Sequence, residues 1–294
     1  MKKVVVFGGA GFLGSYVVTE LDKRGYNVIV ADKHSSPYLG KAKFVACDIL
    51  DINTIENVIP DNVDVVYNLA GFANLERASK NPLEAINLNV MGNLHILEVL
   101  RHRVCKHFVF ASSAYAMNDK GSFYGIGKLA SEKIVEEYEK KYGLTYTIIR
   151  YGSVYSERDF ENNYIYNIIK NAINTGKIIH NGDGNEIREY IHAADAATLS
   201  VDIIEDKKFF NQHIVLTGSE KMKRVELFDM INEILGNTLT IELNNKGYIN
   251  HYKTTPYSFH PTVSKKLVNN PYIDMGQGIL ECIRQINLDH DGDK

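Results

Sequence analysis

Val4-Val5-Val6-Phe7-Gly8-Gly9-Ala10-Gly11-Phe12-Leu13-Gly14 runs from a short apolar strand straight into a helical pattern. Gly8, Gly11 and Gly14 recur at every third position. A turn of this kind is tight, lets a pyrophosphate approach the backbone, and lets the next helix pack closely on the strand. The first amides of that helix, expected over 13–24, point at the anion along a favourable dipole. Asp32 follows the next apolar run, 28–31, and lies 18 residues after Gly14. A carboxylate there accepts hydrogen bonds from ribose hydroxyls and repels a 2′-phosphate. The order strand, glycine turn, helix, strand, acid predicts a dinucleotide site that takes NAD in preference to NADP. Lys33 works against that preference.

Outward from this unit the same rhythm continues. Apolar runs at 63–69, 107–112 and 145–150 read as buried strands, and 53–58, 82–101 and 124–142 carry helical spacing. Strand–helix alternation predicts an α/β chain with a Rossmann-type, doubly wound parallel sheet. Residues 1–150 form the expected dinucleotide-binding domain. Residues 151–294 form a smaller, mainly substrate-binding region, from which a strand at 213–216 is the candidate to return to the main sheet. The polar tail from Leu288 is expected to fray.

The 294 residues are 45% hydrophobic and 23% charged, enough for one large domain or two closely joined ones. A net charge of −3 without a basic block argues against nucleic acid and anionic membrane as partners. No apolar run reaches the ~18 residues of a membrane span, and the first apolar run is too short for a signal peptide. Cys47, Cys105 and Cys282 suit neither a disulfide framework nor a zinc site, which predicts a reducing, cytoplasmic setting. His95, His102 and His107 lack ligand spacing and are expected at the surface or an interface. No metal is expected.

Tyr124 and Lys128 lie four apart on one expected helix face. A phenol is a poor base at pH 7, but a neighbouring ammonium and an oxidised nicotinamide both favour phenolate. The pair follows a strand ending in Ser112-Ser113, and Asn68-Leu69-Ala70-Gly71 ends the intervening strand at the edge where the cofactor should lie.

Together these motifs resemble the extended short-chain dehydrogenase/reductase family, especially its NAD-dependent nucleotide-sugar epimerases and dehydratases. The likeness extends to Asp48-Ile49, similar to the pair flanking adenine, and to Asn89-Val90-Met91-Gly92-Asn93 beside the cofactor. Arg150-Tyr151-Gly152-Ser153-Val154-Tyr155 resembles the family's Arg-Tyr-Phe-Asn-Val-Tyr. The stretch Gly182 to His192, containing Arg188-Glu189-Tyr190-Ile191-His192, is similar to the Gly-x-Gly-x-x-x-Arg-Asp-Tyr-Ile-His of the extended branch. The resemblance implies a catalytic trio of Ser113, Tyr124 and Lys128. It implies cofactor contacts from the glycine turn with Phe12 and Leu13, from Asp32, Lys33, Asp48 and Ile49, and from Leu69, Ala70 and Gly71. Asn89, Ser112, Tyr124, Lys128 and Tyr151 complete that set. Ser113, Ser153, Arg188 and Tyr190 would meet a nucleotide-diphosphate sugar. Arg188 would grip the diphosphate, its alternative being an ion pair with Asp183 or Glu186. A homodimer is implied across the helices at 82–101 and 124–142, with Leu94, Leu97, Ile134 and Tyr138 at the seam.

Departures bear on the reaction. Ser153 replaces an Asn that touches substrate, and Ser156-Glu157-Arg158 stands where Gly-Pro-Arg is usual. Dehydratases of the family carry Asp-Glu after the catalytic hydroxyl, and decarboxylases a Glu; here Ser113 precedes Ala114-Tyr115-Ala116. That disfavours both reactions and leaves NAD-dependent 4-epimerisation through a 4-keto sugar as the leading expectation. A 4-keto-sugar reductase is the first alternative, with a sugar-nucleotide dehydratase or decarboxylase and a non-catalytic nucleotide sensor behind it.

Overall fold

The computed structural model describes residues 2–118, 120–158, 160–244, 251–255, 265–268 and 272–292. The strands β1 (Lys3–Phe7), β2 (Asn27–Asp32), β3 (Lys43–Ala46), β4 (Asn62–Asn68), β5 (Val104–Ser113) and β6 (Tyr146–Tyr151) dominate the first half. They are interleaved with α1 (Phe12–Lys23), α2 (Ile52–Val58), α3 (Leu75–Lys80), α4 (Pro82–Ile86), α5 (Gly92–Leu100) and α6 (Ser122–Tyr142). Val4, Val5, Val6 and Phe7 are all fully buried, as expected of a strand covered on both faces.

One eight-stranded sheet runs in the order Lys265–Leu267, Gln212–Leu216, β6, β5, β4, β1, β2, β3, every neighbouring pair parallel. The chain travels outward from β1 to β3, then returns to the other side of β1 to lay down β4, β5 and β6. The loops after β1 and β4 therefore part at the carboxyl edge and open a crevice there, the topological switch point where such sheets bind ligands. Helices close both faces. One core joins Val4, Val6, Val17 and Leu21 to the helix Ala193–Glu205; the other joins Val5, Phe7, Ile55, Ile96, Leu97 and Val135.

The sequence predicts one helix over 82–101, but three pieces occur: α4, a π-helical turn Asn87–Met91, and α5. Such turns loosen the regular ladder, and here Ser131 Oγ donates to Asn89 O at 2.6 Å. Of the tail expected to fray, 288–294, the part to residue 292 ends the helix Met275–Gly292, and 293–294 lie outside the described residues. Ile279, Cys282, Ile283 and Ile286 recur at helical spacing and bury against a third core with Tyr166 and Phe228, and the Tyr166 hydroxyl donates to Asp289. His107, expected at the surface or an interface, is buried with its ring 4.4 Å from Phe210 and Nε2 2.8 Å from Thr147 Oγ1; burial pushes its pKa down to about 4. Leu97 and Tyr138, expected at a subunit seam, are spent inside the chain's own core. Among the described residues no helix is long and apolar enough to cross a membrane.

Candidate active site

Gly8 has φ +73°, and a Cβ there would stand 2.5 Å from the Ala70 amide nitrogen. A Cβ on Gly14 would stand 2.0 Å from Gly8 O. The turn after β1, the start of α1 and the loop after β4 are thus packed backbone against backbone, and only glycine admits that approach. Asp32 ends β2 and accepts from the amides of Ala10 (3.0 Å) and Lys33 (2.8 Å), while burial pushes its pKa up. Lys33 Nζ pairs with Asp48 at 3.0 Å.

These groups border a cleft of about 550 Å³. Every cofactor residue named from the sequence lines it, except Asp48 and Asn89. Asp48 stands behind, holding Lys33. Asn89 buttresses the floor: its side chain accepts from Phe72 N (2.8 Å) and donates to Phe72 O (3.1 Å), fixing the turn at Gly71, where φ is +149°.

A second cleft, of about 520 Å³, is lined by Ser113, Ser153, Arg188 and Tyr190. The two clefts share Ala73, Tyr124, Tyr151, Gly152, Val154 and Asn162. Tyr124 sits in the first turn of α6, and its side chain hydrogen-bonds Ser113, the last residue of β5. Burial holds its phenol above the usual range and the Ser113 bond pulls it part of the way back. One turn later, Lys128 is fully enclosed. Its Nζ donates to Ala111 O at 2.8 Å and lies 5.1 Å over the Phe110 ring. Burial draws this lysine down to about 8, against the opposing pull of Glu132. The lowering of the Tyr124 pKa expected from Lys128 is not displayed by the chain alone: burial sets the direction, and the pull against it comes from the Ser113 bond.

The profile of the NAD dependent epimerase/dehydratase family matches residues 4–217. The chain belongs to that family.

Among its relatives is a Methanocaldococcus jannaschii protein provisionally named a UDP-glucose 4-epimerase. It is 31% identical over 255 residues, 79% of this chain and 82% of its own. A UDP-N-acetyl-alpha-D-glucosaminuronate decarboxylase of Bacillus cytotoxicus is 26% identical across 96% of this chain and 97% of its own. The fold matches the Bacillus cereus UDP-glucuronic acid 4-epimerase crystallised with UDP-glucuronic acid and NAD: TM-score 0.85, 23% identity, 97% of this chain and 99% of that one. The cradle at Gly8 and Gly14, which any side chain would fill, and the Asp32 carboxyl at the end of β2 fit the NAD of this epimerase/dehydratase family.

Arg188 is 2% exposed; its Nη1 donates to Ile187 O at 2.8 Å and its guanidinium lies 4.1 Å over Tyr252. Of its expected alternative partners, Glu186 bonds His180 and Asp183 pairs with Lys253. Arg224 was missed. It opens the helix Arg224–Ile234, donates to the Tyr190 hydroxyl at 2.6 Å and lies 4.0 Å over Tyr164, so the second cleft holds two buried guanidiniums. Tyr115 was also missed: its hydroxyl meets His251 Nδ1 at 2.7 Å and its ring stands edge-on to Tyr124. Arg224 carries no fixed spacing from the family motifs, so a single sequence holds no signal for it; Tyr115 stands two residues after Ser113, in a segment read only for its missing carboxylate.

Proposed function

We propose that the protein is an NAD-dependent nucleotide-sugar 4-epimerase. The observation that carries this reading is the position of Tyr124, whose side chain bonds Ser113 where the cofactor cleft opens into the second cleft. A sugar hydroxyl placed there meets a proton acceptor and a hydrogen-bonding partner together. Tyr124 takes the proton from the 4-hydroxyl and later gives it back; Ser113 holds the same oxygen throughout; Lys128 would hold the nicotinamide ribose. NAD, when bound, supplies the hydride acceptor, returns the hydride, and brings a positive ring charge that favours the Tyr124 phenolate. Inversion requires only that the 4-keto sugar turn over before the hydride comes back. No further titratable group is needed, in keeping with the side chains of Ala114, Tyr115 and Ala116 after Ser113.

Arg188 binds the substrate diphosphate, since a guanidinium can meet phosphate oxygens bidentately. Tyr190 and Ser153, opposite each other in the parallel pair Tyr190–His192 and Ser153–Tyr155, complete the wall. The names of the relatives support a UDP-linked hexose. The exposure of Leu83, Ile126 and Leu129, at 81%, 59% and 41%, supports a homodimer across that surface. The setting is cytoplasmic.

The test is incubation with UDP-, GDP-, CDP- and dTDP-sugars and NMR of the products. Epimerised sugar with catalytic NAD supports the reading. Stoichiometric NAD(P)H oxidation with a 4-keto sugar replaces it with a reductase, and release of water or carbon dioxide overturns the argument from Ala114-Tyr115-Ala116.

A further inference from the structure

Two residues after Ser113, the second cleft carries proton-handling side chains that the proposed reaction leaves unused. Tyr115 and His251 both line that cleft, together with Ser113 and Tyr124. The Tyr115 hydroxyl meets His251 Nδ1 at 2.7 Å, and the Tyr115 ring stands edge-on to that of Tyr124, centroids 6.1 Å apart. The segment after Ser113 lacks a carboxylate, but a phenol coupled to an imidazole stands there instead.

Three contacts fix the position of Tyr115. It lies in the 3₁₀ turn Ala114–Met117, and its amide donates to Ser113 Oγ at 3.3 Å. A Cβ on Gly121 would stand 2.8 Å from Tyr115 Cβ, and one on Gly125 would stand 2.9 Å from Tyr115 O. The start of α6, which carries Tyr124, thus packs on Tyr115 as closely as glycine permits. Tyr252 sets its ring 4.7 Å from that of Tyr115, and Arg188 lies over Tyr252. Burial, together with the charges of Arg188 and Arg224, holds the His251 ring down to about 4. At pH 7 it is a neutral imidazole, able to accept a proton.

We propose that Tyr115 and His251 form a second acid/base pair, which enolises a nucleotide-linked 4-keto hexose by exchanging a proton on a carbon next to C4. The proposal rests on the 4-epimerase reading, which supplies the keto sugar. Once the 4-hydroxyl has been oxidised, Tyr124 is protonated, so its hydroxyl and that of Ser113 both donate to the keto oxygen. The Tyr115 oxygen takes the proton from C3 or C5 and passes its own phenolic proton to His251 Nδ1. The C–H electron pair becomes a carbon–carbon double bond to C4, and the carbonyl pair moves onto O4. There the two hydroxyls meet the developing oxyanion. A base as weak as this imidazole suffices to enolise a ketone when such donors face its oxygen. Return of the proton restores the ketone with no oxidant and no leaving group. Return to the opposite face inverts that carbon in addition to C4.

UDP-4-keto-6-deoxyglucose already carries the keto group and has no oxygen at C6 to expel. Incubated with the full-length protein in D₂O and followed by proton NMR, it should lose its H3 or H5 signal at least ~10²-fold faster than in buffer. Tyr115→Phe keeps the ring and removes the proton carrier. It should slow exchange ~10²-fold, with thermal unfolding near that of the parent. His251→Asn should slow exchange in the same direction. Exchange at the buffer rate, or exchange undiminished in Tyr115→Phe, overturns the second pair. Because the probe needs no oxidation, exchange that persists while the sugar panel yields no epimer overturns the 4-epimerase reading alone. Epimer from the panel without exchange overturns the second pair alone.

Discussion

Glu132 grips Arg150 by two bonds, Nε to Oε1 at 2.9 Å and Nη2 to Oε2 at 2.6 Å, and Oε1 also accepts from Ser112 Oγ at 2.5 Å. Ser112 and Arg150 are register partners in β5 and β6, one step before the pair Ser113 and Tyr151. Glu132 stands one turn after Lys128 on α6. One buried carboxylate therefore fastens the Tyr124 helix to both strand ends that complete the site.

Glu132→Gln leaves the Arg150 guanidinium buried without its counter-charge and should cost ~3–5 kcal/mol. Replacing both partners, Glu132→Leu with Arg150→Met, should recover most of that loss. Urea unfolding of the single and double variants measures both, and a single variant as stable as the parent would contradict the pairing.

Tyr124→Phe keeps the ring and removes the transferable proton. Turnover should fall ~10²–10⁴-fold while NAD binding and thermal unfolding stay near those of the parent. A variant that retains full activity excludes Tyr124 as the acid/base.

Lys128 has its pKa drawn down to about 8 by burial. Its ammonium is present below that pH and lost above it, so NAD affinity should weaken as pH rises through about 8. The sign for stability is the reverse: the folded chain holds this lysine neutral over a range where the unfolded chain holds it charged. Folding is thus disfavoured progressively as pH falls from ~10.4 towards 8. Calorimetric titration of NAD at pH 6.5 and 9 tests the first effect, with Lys128→Met expected to give a flat profile.

Asp32→Ala should narrow the preference for NAD over NADP by removing repulsion at the 2′-position, which fluorescence titration with the two reduced cofactors can read. Equal affinities in the unmodified protein would remove Asp32 as the discriminating group.

Ile126→Asp places a charge on the exposed apolar surface of α6. Light scattering should report a dimer for the parent and a monomer for the variant, and an unchanged mass would move the seam elsewhere.

Sequence makes the cofactor half legible because its signals are local. The glycine turn, Asp32 and the Tyr124–Lys128 spacing each act within one strand–turn–helix unit, and backbone sterics leave few ways to build it. Elements whose stability comes from distant partners were lost. β3 and Lys265–Leu267 lie on the sheet edges, short and half-polar, with little periodicity to mark them. The π-helical turn Asn87–Met91 sits inside a pattern that reads as ordinary helix, since its cause is Asn89 reaching Phe72 and Ser131 reaching Asn89 O. Arg224 enters the second cleft through a tertiary contact with Tyr190 that sequence spacing does not encode.

The place of Gln212–Leu216 beside β6 also governs how the chain can be made. As synthesis proceeds, β1 to β6 leave the ribosome first, and the outer edge of β6 stays open until residue 216 has followed. A nascent chain in that interval offers a long apolar edge with unpaired amides and carbonyls, the template on which strands of other molecules add. Residues 1–150 expressed alone would keep that edge permanently and should collect in inclusion bodies. Residues 1–150 would then recognise the cofactor without folding as a unit on their own.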